Sequence, residues 1–203
     1  MINGERWIGR PCKLTVVRMR NWQRSMTWRD TSLTWIPTSP KIPNALSPLY
    51  YVATGILGAI GGVNIGFNCN MPFECVLASW LDEAKLVAQI NRYRIRGVVF
   101  RPLSVNVNQV WLHGIRLEFT DPARAPLMPL NFYLLEAIQS VAKRNLFAEA
   151  IQANRGFDMF DKVNGTDATR RDLAAGRSAA NIVSSWKMDE DTFRKKREKY
   201  LLY

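Results

Sequence analysis

The chain has 203 residues, 47% of them hydrophobic and 22% charged, which is the composition of a folded globular protein and excludes disordered and collagen-like chains. Its formal charge is +11 and its isoelectric point is near 10.0. Basic residues dominate residues 1–41 (Arg6, Arg10, Lys13, Arg18, Arg20, Arg24, Arg29 and Lys41 against Glu5 and Asp30), but no nucleic-acid motif accompanies them, so nucleic acid ranks last among partners.

The first element in chain order is a short apolar strand, Leu14 to Met19, followed by a Trp-rich irregular segment. There Pro37, Pro40 and Pro43 exclude regular helix. Trp22, Trp28 and Trp35 either line a sugar-binding surface, as aromatic faces stack on pyranose rings, or pin the loop to a core. Ser47-Pro48 reads as a cap and first turn opening a buried helix that ends at the glycines Gly58, Gly61 and Gly62. Leu49 to Ile65 is the nearest approach to a membrane span, and Thr54 and the glycines interrupt it. Residues 63–82 read as a strand, a loop rich in Gly66, Asn68, Asn70 and Pro72, and a second strand.

Asp82 to Arg94 has acidic residues in its first turn and Leu86, Ile90 and Tyr93 on one face, an amphipathic helix. Gly97 to Arg101 and Trp111 to Phe119 read as paired strands. A long helix over Pro126 to Arg144 packs on them through Leu130, Leu134, Leu135, Ile138 and Val141. Short helices follow at Asp167 to Ala175, Ser178 to Trp186 and Asp189 to Tyr200, the last with its basic run interleaved with acids as a solvated face.

Candidate chemistry is sparse. Cys12, Cys69 and Cys75 are an odd number at spacings that match no zinc or redox motif, which predicts buried free thiols and no metal site. His113, the single histidine, reads as a structural imidazole in a strand. Glycoside hydrolysis normally needs two carboxylates. Glu74, between apolar neighbours that would desolvate it and suit it to a general acid, is the best candidate; the competing reading ties it down by an arginine or by backbone amides. Asp121 and Asp158 read as turn or capping residues, and Gly165-Thr166-Asp167 with Arg170 as a helix start. No phosphate loop, dinucleotide fingerprint or serine triad can be written.

The closing stretch carries Phe157-Asp158, Gly165-Thr166-Asp167 with Arg170, Ala175-Gly176, Ile182, Ser185-Trp186, Phe193, Arg197 and Tyr200 to Tyr203. Upstream lie LTVVRMRNWQRSM, LTWIPTSP and PFECVLASWLD in order. In these the chain resembles the exo-β-N-acetylmuramidase (NamZ) family of peptidoglycan glycosidases, over essentially its whole length. The resemblance implies release of terminal N-acetylmuramic acid from peptidoglycan fragments outside the cytoplasm, with no cofactor, in a cleft where two domains meet. It also implies that the family's preceding Rossmann-like part is absent. A separate N-terminal chain is then the expected partner, and activity alone is expected to be weak or nil.

The expected fold is α/β: residues 1–73 close a truncated Rossmann-like domain, and residues 74–203 form a compact α+β C-terminal domain. The expected site has Glu74 as catalytic carboxylate and Ser39, Asn64, Asn68 and Trp35 as sugar contacts, with muramic-acid sugars as ligand. The alternative is a non-catalytic carbohydrate-binding module. Residues 1–20 place Glu5, Arg6, Arg10 and Lys13 where the apolar part of a secretory signal would lie, so no signal is read there.

Overall fold

The computed structural model describes residues 1–203. They divide into two compact units, one of residues 36–183 and one of residues 1–35 with 184–203. No helix is long and apolar enough to cross a membrane.

The larger unit is built on a three-stranded antiparallel sheet in the order β1-β3-β2, with β1 at Cys75–Ala78, β2 at Val98–Val107 and β3 at Val110–Phe119. β2 and β3 form a hairpin whose two turn residues, Asn108 and Gln109, both have positive φ, matching the twist of the flanking strands. The expected strand ended at Arg101, yet β2 runs on through Pro102, opposite Ile115. An edge strand tolerates a proline because one side of its backbone needs no ladder donor. The strand expected before the glycine-rich loop shrinks to one bridge, Asn64 with Leu77.

Three longer helices complete this unit: the second packs on β2 and β3, and the first and third pack on each other. Helix α1 (Ser47–Ile60) ends at Gly61, whose φ of 76° a side chain would strain. Its start differs from the expected serine cap: Ser47 lies inside the helix, and Asn44 Oδ1 accepts the N–H groups of Leu46 and Ser47 while Ser47 Oγ accepts that of Asn44. Helix α2 (Glu83–Asn91) is capped by Asp82, which accepts Lys85 N–H at 2.9 Å, and buries Leu86 and Ile90. Helix α3 (Leu127–Ala142) buries the expected Leu130, Leu134, Leu135 and Ile138, together with Asn131 and Phe132.

Short helices close this unit: α4 (Leu146–Gln152), α5 (Asp158–Asn164), α6 (Ala168–Ala174) and most of α7 (Ala179–Ser185). Arg170 donates from Nε and Nη2 to both oxygens of Asp161 and lies 4.9 Å from the Phe157 ring, tying α6 to α5. Arg170 is thereby occupied as a strut.

The smaller unit holds α8 (Lys187–Glu198) and residues 1–35, in which the expected strand Leu14 to Met19 forms no ladder; Val17 is 90% exposed. No strand and no parallel pairing occur in residues 1–73, and the α/β description holds as a mixed fold with a small antiparallel sheet. A strand exists only where its N–H and C=O groups find a partner, and here none is supplied. Instead Met19 N–H donates to the Tyr203 hydroxyl, and Trp22 meets the same ring edge-on. Cys12 is exposed, contrary to the expectation that all three thiols are buried, with its N–H and C=O both held by the Asn3 amide.

Glu5 binds the two ends of this unit. Its carboxylate accepts from the Tyr200 hydroxyl at 2.7 Å and pairs with Lys199 at 2.8 Å and Lys196 at 3.1 Å. Hydrogen bonds from Lys199, Tyr200 and Lys196 lower its pKa to about 2. A lowered carboxylate pKa stabilises the fold above the ordinary carboxylate range, and that stabilisation is lost as pH falls through the folded value. Trp7 reports on it, since Lys196 Nζ lies 5.3 Å from its ring. A fluorescence titration is expected to show a transition between about pH 4.5 and pH 2 that Glu5→Gln abolishes; an unchanged transition in the variant would refute the assignment.

Candidate functional site

Two neighbouring clefts open beside the glycine-rich loop of the larger unit. The first, of about 450 Å³, is lined by Asn64, Phe67, Asn68, Ser79, Trp80 and Leu112 among others. The second, of about 480 Å³, is lined by Thr38, Ser39, Lys41, Ile42, Pro48, Tyr51 and Phe73. Lys41 links them: it lines the second, while its Nζ lies 4.7 Å from the Phe67 ring and donates to Phe67 O at 3.4 Å. Phe67 in turn packs edge-on against Phe73 at 5.0 Å. Both volumes suit a small ligand of a few polar contacts on an apolar wall.

The loop has little freedom in how it folds. Gly66 adopts a φ of 90°, and a Cβ there would lie 1.8 Å from Met71 O. Asn64 Oδ1 accepts Gly66 N–H at 2.7 Å, while the Asn64 backbone bridges to Leu77 in both directions. Asn68 is exposed on the single helical turn Phe67–Cys69. On the other side of Lys41, Ser39 Oγ accepts Lys41 N–H at 3.0 Å and shapes the turn that lines the second cleft.

Thus Asn64 and Asn68 share one cleft and Ser39 lines the next, but Trp35 belongs to the smaller unit, where its ring meets Trp28 edge-on at 5.3 Å. Glu74 lines neither cleft. It follows Phe73, which has positive φ, and its carboxylate accepts from Arg116 Nη2 at 2.8 Å. The Glu74 side chain is 14% exposed and that of Arg116 44%. The apolar surroundings expected of Glu74 therefore give way, at its carboxylate, to an ion pair with the strand opposite. Arg116 Nε is buried and meets no acceptor within the chain.

Trp80 was not singled out in the sequence, because nothing in its spacing separates a cleft tryptophan from a core one. Its ring carries the Arg144 guanidinium at 4.1 Å, and Glu149 grips that guanidinium through two bonds of 2.7 and 2.8 Å. Ser104, His113 and Glu83 also gather on the sheet surface, but Ser104 Oγ and Glu83 both approach the same ring nitrogen, Nδ1, at 2.8 and 3.4 Å. A proton relay needs both nitrogens, so this is no hydrolytic triad. No group of three or more His, Cys, Asp or Glu side chains converges to hold a metal.

The family profile described as exo-beta-N-acetylmuramidase NamZ, C-terminal, matches residues 49–203, and the corresponding N-terminal profile matches residues 1–46. The chain belongs to the NamZ family. It is 32% identical over 197 residues to the peptidoglycan beta-N-acetylmuramidase NamZ of Bacillus subtilis (strain 168), covering 94% of this chain and 45% of that protein. The crystal structure of a DUF1343 family protein from Bacteroides fragilis superposes with a TM-score of 0.90 at 31% identity, covering all of this chain and 54% of that one. The chain thus spans about half the length of the NamZ relative it matches. Within this NamZ chain, the sequence elements that carried the resemblance have structural duties: Tyr200 holds Glu5, Tyr203 holds Met19, and Arg170 holds Asp161.

Proposed function

We propose that this chain contributes one wall of the sugar site of an exo-β-N-acetylmuramidase acting at the cell wall, and that it is incomplete for catalysis alone. The observation that carries the reading is the end-to-end match of both NamZ profiles to residues 1–46 and 49–203. Asn64 and Asn68 supply amide hydrogen bonds to a muramic-acid sugar, Trp80 an aromatic surface for its ring, and Ser39 a hydroxyl in the adjoining cleft. Glu74 is the carboxylate of this chain that takes part in the reaction, oriented by Arg116.

No carboxylate lines either cleft, whereas hydrolysis of a glycoside requires two at a defined separation. That favours completion of the site by further residues of a full-length NamZ, or by a separate N-terminal chain that also pairs with the open strand Leu14 to Met19. The same observation favours the alternative of a carbohydrate-binding module. So does the smaller unit, where Trp22 and Trp28 line one cavity of about 650 Å³ with Trp35 against Trp28.

The test is release of N-acetylmuramic acid from a chromogenic muramide by the purified chain, alongside NMR titration of N-acetylmuramic acid against the Trp80 indole. Turnover at the blank level with a saturable Trp80 shift is the expected result. Neither turnover nor a shift would overturn the reading, and turnover by the chain alone would overturn its incompleteness.

A further inference from the structure

We propose that Cys69 and Cys75 form a reversible disulfide that locks the cleft loop. Their sulfurs lie 4.0 Å apart, whereas Cys12 is exposed in the other unit. The pairing stands apart from the muramidase reading, since it concerns thiols and no sugar chemistry.

The loop brings these sulfurs together by its backbone. Asn70 and Phe73 both have positive φ, reversing the chain between the helical turn that holds Cys69 and the strand that begins at Cys75. Gly66 clears the space they occupy: a Cβ there would come within 3.2 Å of Cys75 Sγ. Besides its approach to Cys75, the Cys69 thiol makes a 3.5 Å contact to Gly66 O, so little is lost when it turns. Closing the gap to the roughly 2 Å of a disulfide takes a side-chain rotation and a small loop shift.

The two thiols have unequal access. Cys69 is partly exposed and Cys75 fully buried, and burial together with the neighbouring Cys69 and Glu74 pushes the Cys75 thiol up. Cys69 therefore reacts first. Its thiolate attacks a small-molecule disulfide, forms a mixed disulfide and expels one thiolate. Cys75 then gives its proton to solvent and attacks Cys69 Sγ, expelling the second. Two electrons pass from the cysteines to the oxidant, which leaves as two thiols carrying the two protons. The closed ring contains Glu74 and sits beside Asn68, so oxidation restrains both the cleft rim and the carboxylate.

The experiment equilibrates the full chain, in a Cys12→Ser background, with oxidised glutathione, then quenches in acid, alkylates in denaturant with N-ethylmaleimide and maps peptides by mass spectrometry. The expected result is loss of both alkylatable thiols with a Cys69–Cys75 cross-linked peptide and no retained glutathione. In Cys75→Ser, glutathione should remain on Cys69. Full alkylation of both thiols, or a stable glutathione adduct on Cys69 with Cys75 still present, would overturn the proposal. The cross-link is read on the native cysteines, so the result does not depend on the folding of the Cys75 variant.

Discussion

On the proposed reading, Glu74→Gln is expected to lower muramide turnover by about 10²- to 10⁴-fold, measured in the assembly that turns over, because an amide of the same shape cannot exchange a proton. The variant keeps its fold. Its amide oxygen still accepts from Arg116, and the pair lies partly in water, with Arg116 44% exposed, so the stability cost is about 1 kcal/mol or less. Activity and thermal midpoint measured together separate the two roles of this carboxylate. A large loss of kcat at an almost unchanged midpoint supports a chemical role. Unaltered kcat would make Glu74 a structural partner of Arg116, and so would a fall in kcat that tracks unfolding.

Asn131→Ala destabilises the larger unit by about 3 kcal/mol, a fall of roughly 6 to 12 °C in the thermal midpoint. Asn131 is 1% exposed on α3 and reaches into α1: its Oδ1 accepts Ile56 N–H at 3.1 Å, and its Nδ2 donates to Val52 O at 2.7 Å and Met128 O at 3.1 Å. Val52 and Ile56 stand one helical turn apart, so a single carboxamide serves both ends of that step of α1. Truncation leaves these backbone groups without it and adds the cost of the vacated volume. Asn131→Leu restores volume without polar satisfaction and should recover only part of the loss. Circular-dichroism melts of the two variants decide the matter: midpoints within 2 °C of the parent would show that the bonds contribute little.

Apolar spacing made Asn131 invisible in the sequence, for it stands beside Leu130 on the face of α3 that the heptad-like pattern marks as core. A buried polar residue is legible only when its partner is known, and two of its partners, Ile56 N–H and Val52 O, lie 75 and 79 residues away on another helix. The same limit applies to Glu74. Arg116 Nη2 comes from β3, 42 positions along the chain, and nothing local chooses between a desolvated acid and an ion-paired one. That Asn64 and Asn68 line a cleft was legible, because glycine, asparagine and proline punctuation marks a loop, and loops beside a sheet line clefts. Trp35 was chosen by residue type alone, and the structure sets it against Trp28 in the smaller unit.

What the sequence by itself determined is local or repeated. The helices α1, α2 and α3 follow from apolar periodicity and from breakers and caps such as Gly61 and Asp82, and the family membership follows from the order of motifs along the whole chain. These signals are written within a few residues of where they act. Only the tertiary structure decided that Leu14 to Met19 stays unpaired, that β2 continues through Pro102, that Trp80 lines a cleft and that Cys69 and Cys75 meet. Each depends on which distant segment arrives as neighbour. A strand without a ladder partner is merely extended chain, a proline is tolerated only where no partner needs its N–H, and two thiols become a pair only when the backbone turns one toward the other.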